Sequence, residues 1–119
     1  MTISGAHATA FFEEVVREQQ VWTIRDTNGF PAPFGSDGLR SMPFWSLSSR
    51  AERVISNVQD YAGFEKVVIP LSEWRSKWLP GLERDGLRVG LNWSGNHATG
   101  YDVEPAAALA SLITGQSSG

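Results

Sequence analysis

The chain has 119 residues, with ten Lys and Arg against thirteen Asp and Glu for a net charge of -3, 41% hydrophobic and 19% charged residues, and no cysteine. This composition is globular and long enough for one core that buries roughly two-thirds of the unfolded surface, while the lack of cysteine excludes disulfides, thiolate catalysis and cysteine-built metal sites. A pI near 5.3 argues against a nucleic-acid or anionic-membrane partner, and with neither a cationic apolar leader nor a run of about 18 apolar residues the expected location is cytoplasmic.

In chain order, Ala8, Phe11, Phe12, Val15 and Val16 recur at helical spacing opposite Glu13, Glu14, Arg17 and Glu18, which predicts an amphipathic first helix over residues 6–20. "VWTIRD" then alternates, Val21 and Thr23 against Trp22 and Ile24, and "TNGF" closes that strand with a turn. Pro31, Pro33 and Pro43 break the next stretch into short extended pieces suited to a sheet edge. Ser49 and Glu52 form a capping-box pattern for a second helix whose face is Ala51, Val54, Ile55, Val58 and Ala62, with Gly63 as its stop. "KVVIPL" is a continuous apolar run, the pattern of a central strand.

From Leu71 the helical period returns, with Leu71, Trp74, Trp78 and Leu82 on one side and Glu73 four residues before Lys77. Pro80 disfavours helical geometry at Leu79, so this helix is expected to end or kink there and leave "PGLERDG" as a connection. "LRVGLNW" alternates, placing Leu87, Val89, Leu91 and Trp93 on one face of a half-buried strand. After "SGNHATG" and "YDV", "EPAAALASLITG" supplies a last helix with Pro105 in its first turn and Gly115 past its end. Together these elements predict a single α+β domain over residues 1–115, a mostly antiparallel sheet covered by about four helices, with residues 116–119 a disordered tail.

Trp74, Trp78 and Trp93 fall on apolar faces and are expected in the core, where Trp78→Ala would cost about 3–5 kcal/mol. Trp45, in "PFWS", is expected to be partly exposed and more tolerant. Catalytic chemistry is not apparent. His7 and His97 lack metal-ligand spacing, and His97 with Ser94 and Asp102 lacks the elbow of a serine hydrolase. "GSDG" and "DTNG" are turns without phosphate-loop or calcium-loop ligands. Glu13 with Glu14, and Asp26 with Asp37, are expected to be solvated charges. No metal, no cofactor and no catalytic residue is expected.

Arg40, among Met42, Phe44 and Trp45, suits either anchoring of the proline-broken loop or recognition of a carboxylate or partner chain. The candidate binding residues are therefore Arg40, Phe44, Trp45, Asn92 and His97. The segment from Phe30 to Trp45 holds more apolar surface than an irregular connection covers alone, so it is the expected site of a homodimer or of a complex with another protein.

"QVWTIRD", "PFWS", "RAERVI", "VIPLSEWRSKWLPGLERDGLRVGLNW" and "GYDVEP" together resemble the small bacterial family known as domain of unknown function 2750, over nearly the whole chain. The most specific succession is Ile69, Leu71, Trp78, Leu79, Pro80, Leu82, Asp85, Gly86, Val89, Gly90 and Asn92. The resemblance implies a single compact α/β domain and brings no catalytic motif. The function expected is a non-catalytic protein-binding or regulatory module, including an immunity-like role; the alternative is a small-molecule sensor or enzyme with a pocket near Arg40, Trp45 and Asn92. A flat apolar patch would favour the first and a concave pocket the second.

Overall fold

Helical periodicity seats Phe11 and Val15 at full burial on α1 (Gly5–Glu18) in the computed structural model, which describes residues 5–35, 37–95 and 99–118. Strand β1 (Gln20–Arg25) follows, then β2 (Ser41–Phe44), α2 (Ser48–Asn57), a 3-10 turn at Gln59–Tyr61 and β3 (Glu65–Pro70). Three abutting segments, Leu71–Glu73, Trp74–Trp78 and Leu79–Arg84, make one helix, α3; β4 (Arg88–Ser94), β5 (Thr99–Val103) and α4 (Pro105–Ser118) complete the order. The chain is an α+β globule with two small sheets. Among the described residues no helix is long and apolar enough to cross a membrane.

Strands β1 and β3 pair antiparallel, from Gln20 opposite Pro70 to Arg25 opposite Glu65. Strand β4 pairs parallel with β2 and antiparallel with β5. The sheets are stitched together at one point: Trp22 and Trp45 exchange backbone hydrogen bonds of 2.8 Å each, and the buried Thr23 hydroxyl donates to the Pro43 carbonyl at 2.9 Å. The strand sequence across the molecule is thus β3, β1, β2, β4, β5.

Because consecutive strand residues point to opposite faces, this surface separates two cores. Phe44, Val21, Ile69, Val89 and Leu91 face α1, α3 and α4, where Phe11, Trp74, Leu79 and Leu112 join them. Trp45 and Ile24 face α2 and meet Val54, Val58, Tyr61 and Trp93. Trp74 and Trp78 pack edge-on against Phe44 at centroid distances of 5.4 and 5.9 Å, and Phe30 adds a further edge contact to Trp78 at 5.2 Å.

Four expectations from sequence are corrected. β3 lies at an edge, not in the centre: only Ile69 of its six residues is buried, and Pro70 has no N–H for a further ladder. The helix does not stop before Pro80. Its middle turn, Trp74–Trp78, is a π-helix in which the Leu79 N–H bonds to the Trp74 carbonyl, and the wider turn accommodates a ring that would otherwise press on the carbonyl four residues back. The capping box at Ser49 does not form, because α2 starts at Ser48 and Lys66 of β3 donates to both Glu52 and the Ser48 hydroxyl, at 2.8 Å each. α4 continues through Gly115.

A fifth correction positions the site. Asn92 adopts a left-handed backbone with φ of 50°, and the register of β4 against β5 shifts between Leu91 and Ser94. This bulge turns Trp93 away from the Val89 and Leu91 face into the α2 core. Its indole lies in a slot floored by two glycines: a Cβ on Gly90 would sit 2.5 Å from the ring, and one on Gly100 2.7 Å. Gly90→Ala is expected to cost about 1–3 kcal/mol through this overpacking, with part of the loss recovered when Trp93→Leu is added, as read from urea midpoints. Trp45 is fully buried whereas Trp78 is only partly so. Trp45→Ala should therefore cost about 3–5 kcal/mol and exceed the loss from Trp78→Ala, the reverse of the ranking expected from sequence.

Candidate functional site

The kink at Asn92 presents its side chain to the segment between β2 and α2. The Ser46 N–H donates to Asn92 Oδ1 at 2.9 Å, and Asn92 Nδ2 donates to Ser46 Oγ at 3.1 Å. Ser46 Oγ in turn donates to Glu14 of α1, which also receives Arg50 of α2 in a two-pronged pair, Nη2 to Oε2 at 3.0 Å and Nε to Oε1 at 3.2 Å. Beside this network the Trp45 indole N–H donates to the Trp93 carbonyl at 2.8 Å. The Asn92 side chain, the Ser46 hydroxyl and the Trp45 indole are thus each bonded to a segment distant in sequence, an arrangement that rigidifies the kink.

A concavity of about 260 Å³ opens over this kink, walled by Arg50, Arg53, Val54 and Asn57 of α2 and floored by Asn92 and Trp93. A second, of about 270 Å³, also reaches Trp93 and is bounded by Phe34, Ser41, Asp60, Tyr61 and Asp102. The Asp102 carboxylate accepts the Trp93 indole N–H at 2.8 Å and the Ser41 hydroxyl at 2.9 Å. Arg88 stands 3.7 Å from Asp102 and 3.0 Å from Asp37. The latter contact holds down a short hairpin in which Phe34 and Arg40 face each other and the Gly35 N–H donates to the Leu39 carbonyl at 2.7 Å. At its tip Phe34 is 73% exposed and Leu39 48% exposed.

Burial pushes the Glu14 carboxyl up, but the hydrogen bonds from Arg50 and Ser46 together with the Arg50 charge outweigh it and hold the group below its ordinary 4.5. In the second concavity burial and the neighbouring Asp60 carboxylate raise the Tyr61 phenol, which stays protonated at neutral pH. Among the described residues no three His, Asp or Glu side chains gather as metal ligands.

The residues singled out from sequence do not assemble into one pocket. Asn92 forms the floor of the first concavity. Arg40 is exposed on the hairpin, where its Nε donates to the Ala32 carbonyl at 2.8 Å and its guanidinium lies 5.7 Å from the Phe34 ring; it anchors the loop. Phe44 and Trp45 are wholly buried, on opposite faces of the sheet, and have no surface to offer a ligand. His97 lies outside the described residues. Glu14, expected to be solvated, is paired instead, and its position three residues after Phe11 on the flank of the apolar face was the available signal. Arg50, Arg53, Asp60 and Asp102 carried none: each is an ordinary surface charge until the fold groups it.

These features define a small α+β domain whose two concavities meet at a kinked strand. The chain belongs to the family described as Protein of unknown function (DUF2750), whose match covers residues 8–112 and so includes the residues of both concavities. No curated protein and no solved structure matches it.

A carboxylate whose pKa is depressed on folding contributes stability above its unfolded value and loses it as pH falls through the native one. Glu14→Gln is therefore expected to lower stability by about 1–2 kcal/mol at pH 7, with the gap to the parent closing as the pH drops below the ordinary 4.5. Urea midpoints across that range measure it, and a gap that stays constant with pH rules out the ionised Glu14 as its source.

Proposed function

We propose that this protein is a non-catalytic binding module that docks a protein partner through the Phe34–Arg40 hairpin and the acidic concavity beneath it. The observation that carries this reading is the pairing of an exposed apolar tip, Phe34 with Leu39, with a cleft bounded by Asp60 and Asp102 and walled by Tyr61 and Trp93. A rigid aromatic anchor beside a carboxylate-bearing cleft suits a partner that offers a basic side chain next to an apolar one, since aromatic walls and carboxylates both attract a cation. The net charge of -3 adds steering toward such a basic surface. The hairpin itself is held by Arg88 and by Arg40, so little ordering is required of it on docking.

The non-catalytic part of the reading is supported by how the carboxylates are used. Both oxygens of Glu14 and both of Asp102 accept hydrogen bonds from the fold, and Glu14 is held ionised, which suits structural anchoring more than proton transfer near neutral pH.

The test is a chemical-shift titration with an acetylated, amidated Leu-Arg-Leu peptide, using Leu-Glu-Leu as the control. The expected shifts fall on residues 33–41, 60–61 and 100–102 with the basic peptide alone, and Phe34→Ala and Asp60→Asn each weaken binding about 5-fold or more. Equal response to both peptides, or indifference to both variants, overturns the reading. Sedimentation of the same samples distinguishes self-association: a dimer dispersed by Phe34→Glu would make a second copy of this chain the occupant.

A further inference from the structure

The concavity over the Asn92 kink lies apart from the hairpin, and its chemistry is opposite in sign. Arg50 and Arg53 bring two positive charges, Glu14 neutralises one through its pair with Arg50, and one positive charge remains. Arg53 is exposed, and among the described residues it has no carboxylate partner. The Arg50 contacts to Glu14 use Nε and Nη2, which leaves the Nη1 hydrogens of its guanidinium for another acceptor. Asn92, nearly buried, is pinned at Oδ1 by Ser46 and spends one of its two Nδ2 hydrogens there, so a second donor remains at the floor. Asn57 and Ser94 add polar groups at the rim, while Val54 and Trp93 supply apolar wall.

From this we infer a second binding site, between α2 and the end of β4, for a small organic monocarboxylate: the carboxylate is received by Arg53, with Arg50 and Asn92 as further donors, and its compact apolar body rests on Val54 and Trp93. A single negative charge matches the single uncompensated positive one. A planar carboxylate also matches the fork of a guanidinium. About 260 Å³ lies just under the usual range for small-molecule sites, which limits the ligand to a small one. Arg50 and Asn92 are held by their bonds to Glu14 and Ser46, and donors preformed in this way keep the ordering cost low.

Benzoate is the probe, with benzyl alcohol and phenyl phosphate beside it, titrated into the full chain and followed by the backbone amide and indole resonances of residues 50–57 and 92–95. The expected result is saturable binding of benzoate, none of benzyl alcohol, and at least about 10-fold weaker binding by Arg53→Gln, a change at an exposed position that leaves the fold intact. Asn92→Gly retains the left-handed backbone while removing the floor donor, and is expected to weaken binding as well. Absence of saturation at millimolar benzoate, equal response to benzyl alcohol, or an unchanged affinity in Arg53→Gln overturns the site. Tighter binding of phenyl phosphate than of benzoate overturns its assignment to a singly charged ligand. Shifts confined to residues 33–41 would overturn this site while leaving the hairpin reading in place.

Discussion

The left-handed turn at Asn92 is the constraint on which the arrangement depends. One residue with φ of 50° in the middle of β4 reverses the face to which Trp93 points, and an asparagine tolerates that conformation better than most residues. The turn is held from outside the strand. Ser46 satisfies the Asn92 side chain, Trp45 caps the Trp93 carbonyl, and Gly90 and Gly100 leave room for the indole. The α2 core exists in its present form because Trp93 enters it, and the two concavities share that same residue.

The second organising feature is the narrow seam between the sheets. A single reciprocated bridge between Trp22 and Trp45 joins them, and Thr23 reinforces it from the side. Trp45 therefore works at three levels at once: its backbone closes the sheet, its ring fills the α2 core, and its indole N–H holds the kink. Total burial follows from those three duties, and a residue so engaged serves a binding site by supporting its floor.

The surface has an electrostatic division that the net charge conceals. Arg50 and Arg53 border one concavity, and Asp60 and Asp102 border the other. The network of Glu14, Ser46 and Asn92 stabilises the first while Arg88, spanning Asp37 and Asp102, stabilises the second. In each, one charged group is partly removed from water and held in position, Arg50 in the first and Asp102 in the second, which is where recognition by charge gains strength over the open surface. A modest overall charge of -3 is the sum of these local fields and describes neither of them.

Most of what depends on near neighbours is legible in the sequence, although the cap at Ser49 and the stops at Pro80 and Gly115 do not form. The periodicities of α1, α2 and β1, the tryptophan-bearing start of α3 and the alternation of β4 as far as Leu91 all depend on neighbours within a few residues, and the α+β class follows from their order. The placement of Trp45, Glu14 and β3 depends on partners distant in sequence. Trp45 has the sequence context of a loop aromatic, but β1 pairs with it; Glu14 has that of a solvated charge, but Arg50 of α2 and Ser46 just before that helix bond to it; and β3 has the apolar run of a central strand, but among the described residues it pairs with β1 alone. The strict alternation from Leu87 to Trp93 failed at the single residue where a side chain from another segment stabilises a left-handed backbone. A sequence carries the preferences of each stretch, but burial, pairing and the grouping of charges into a site are properties of contacts between stretches, and only the folded chain decides them.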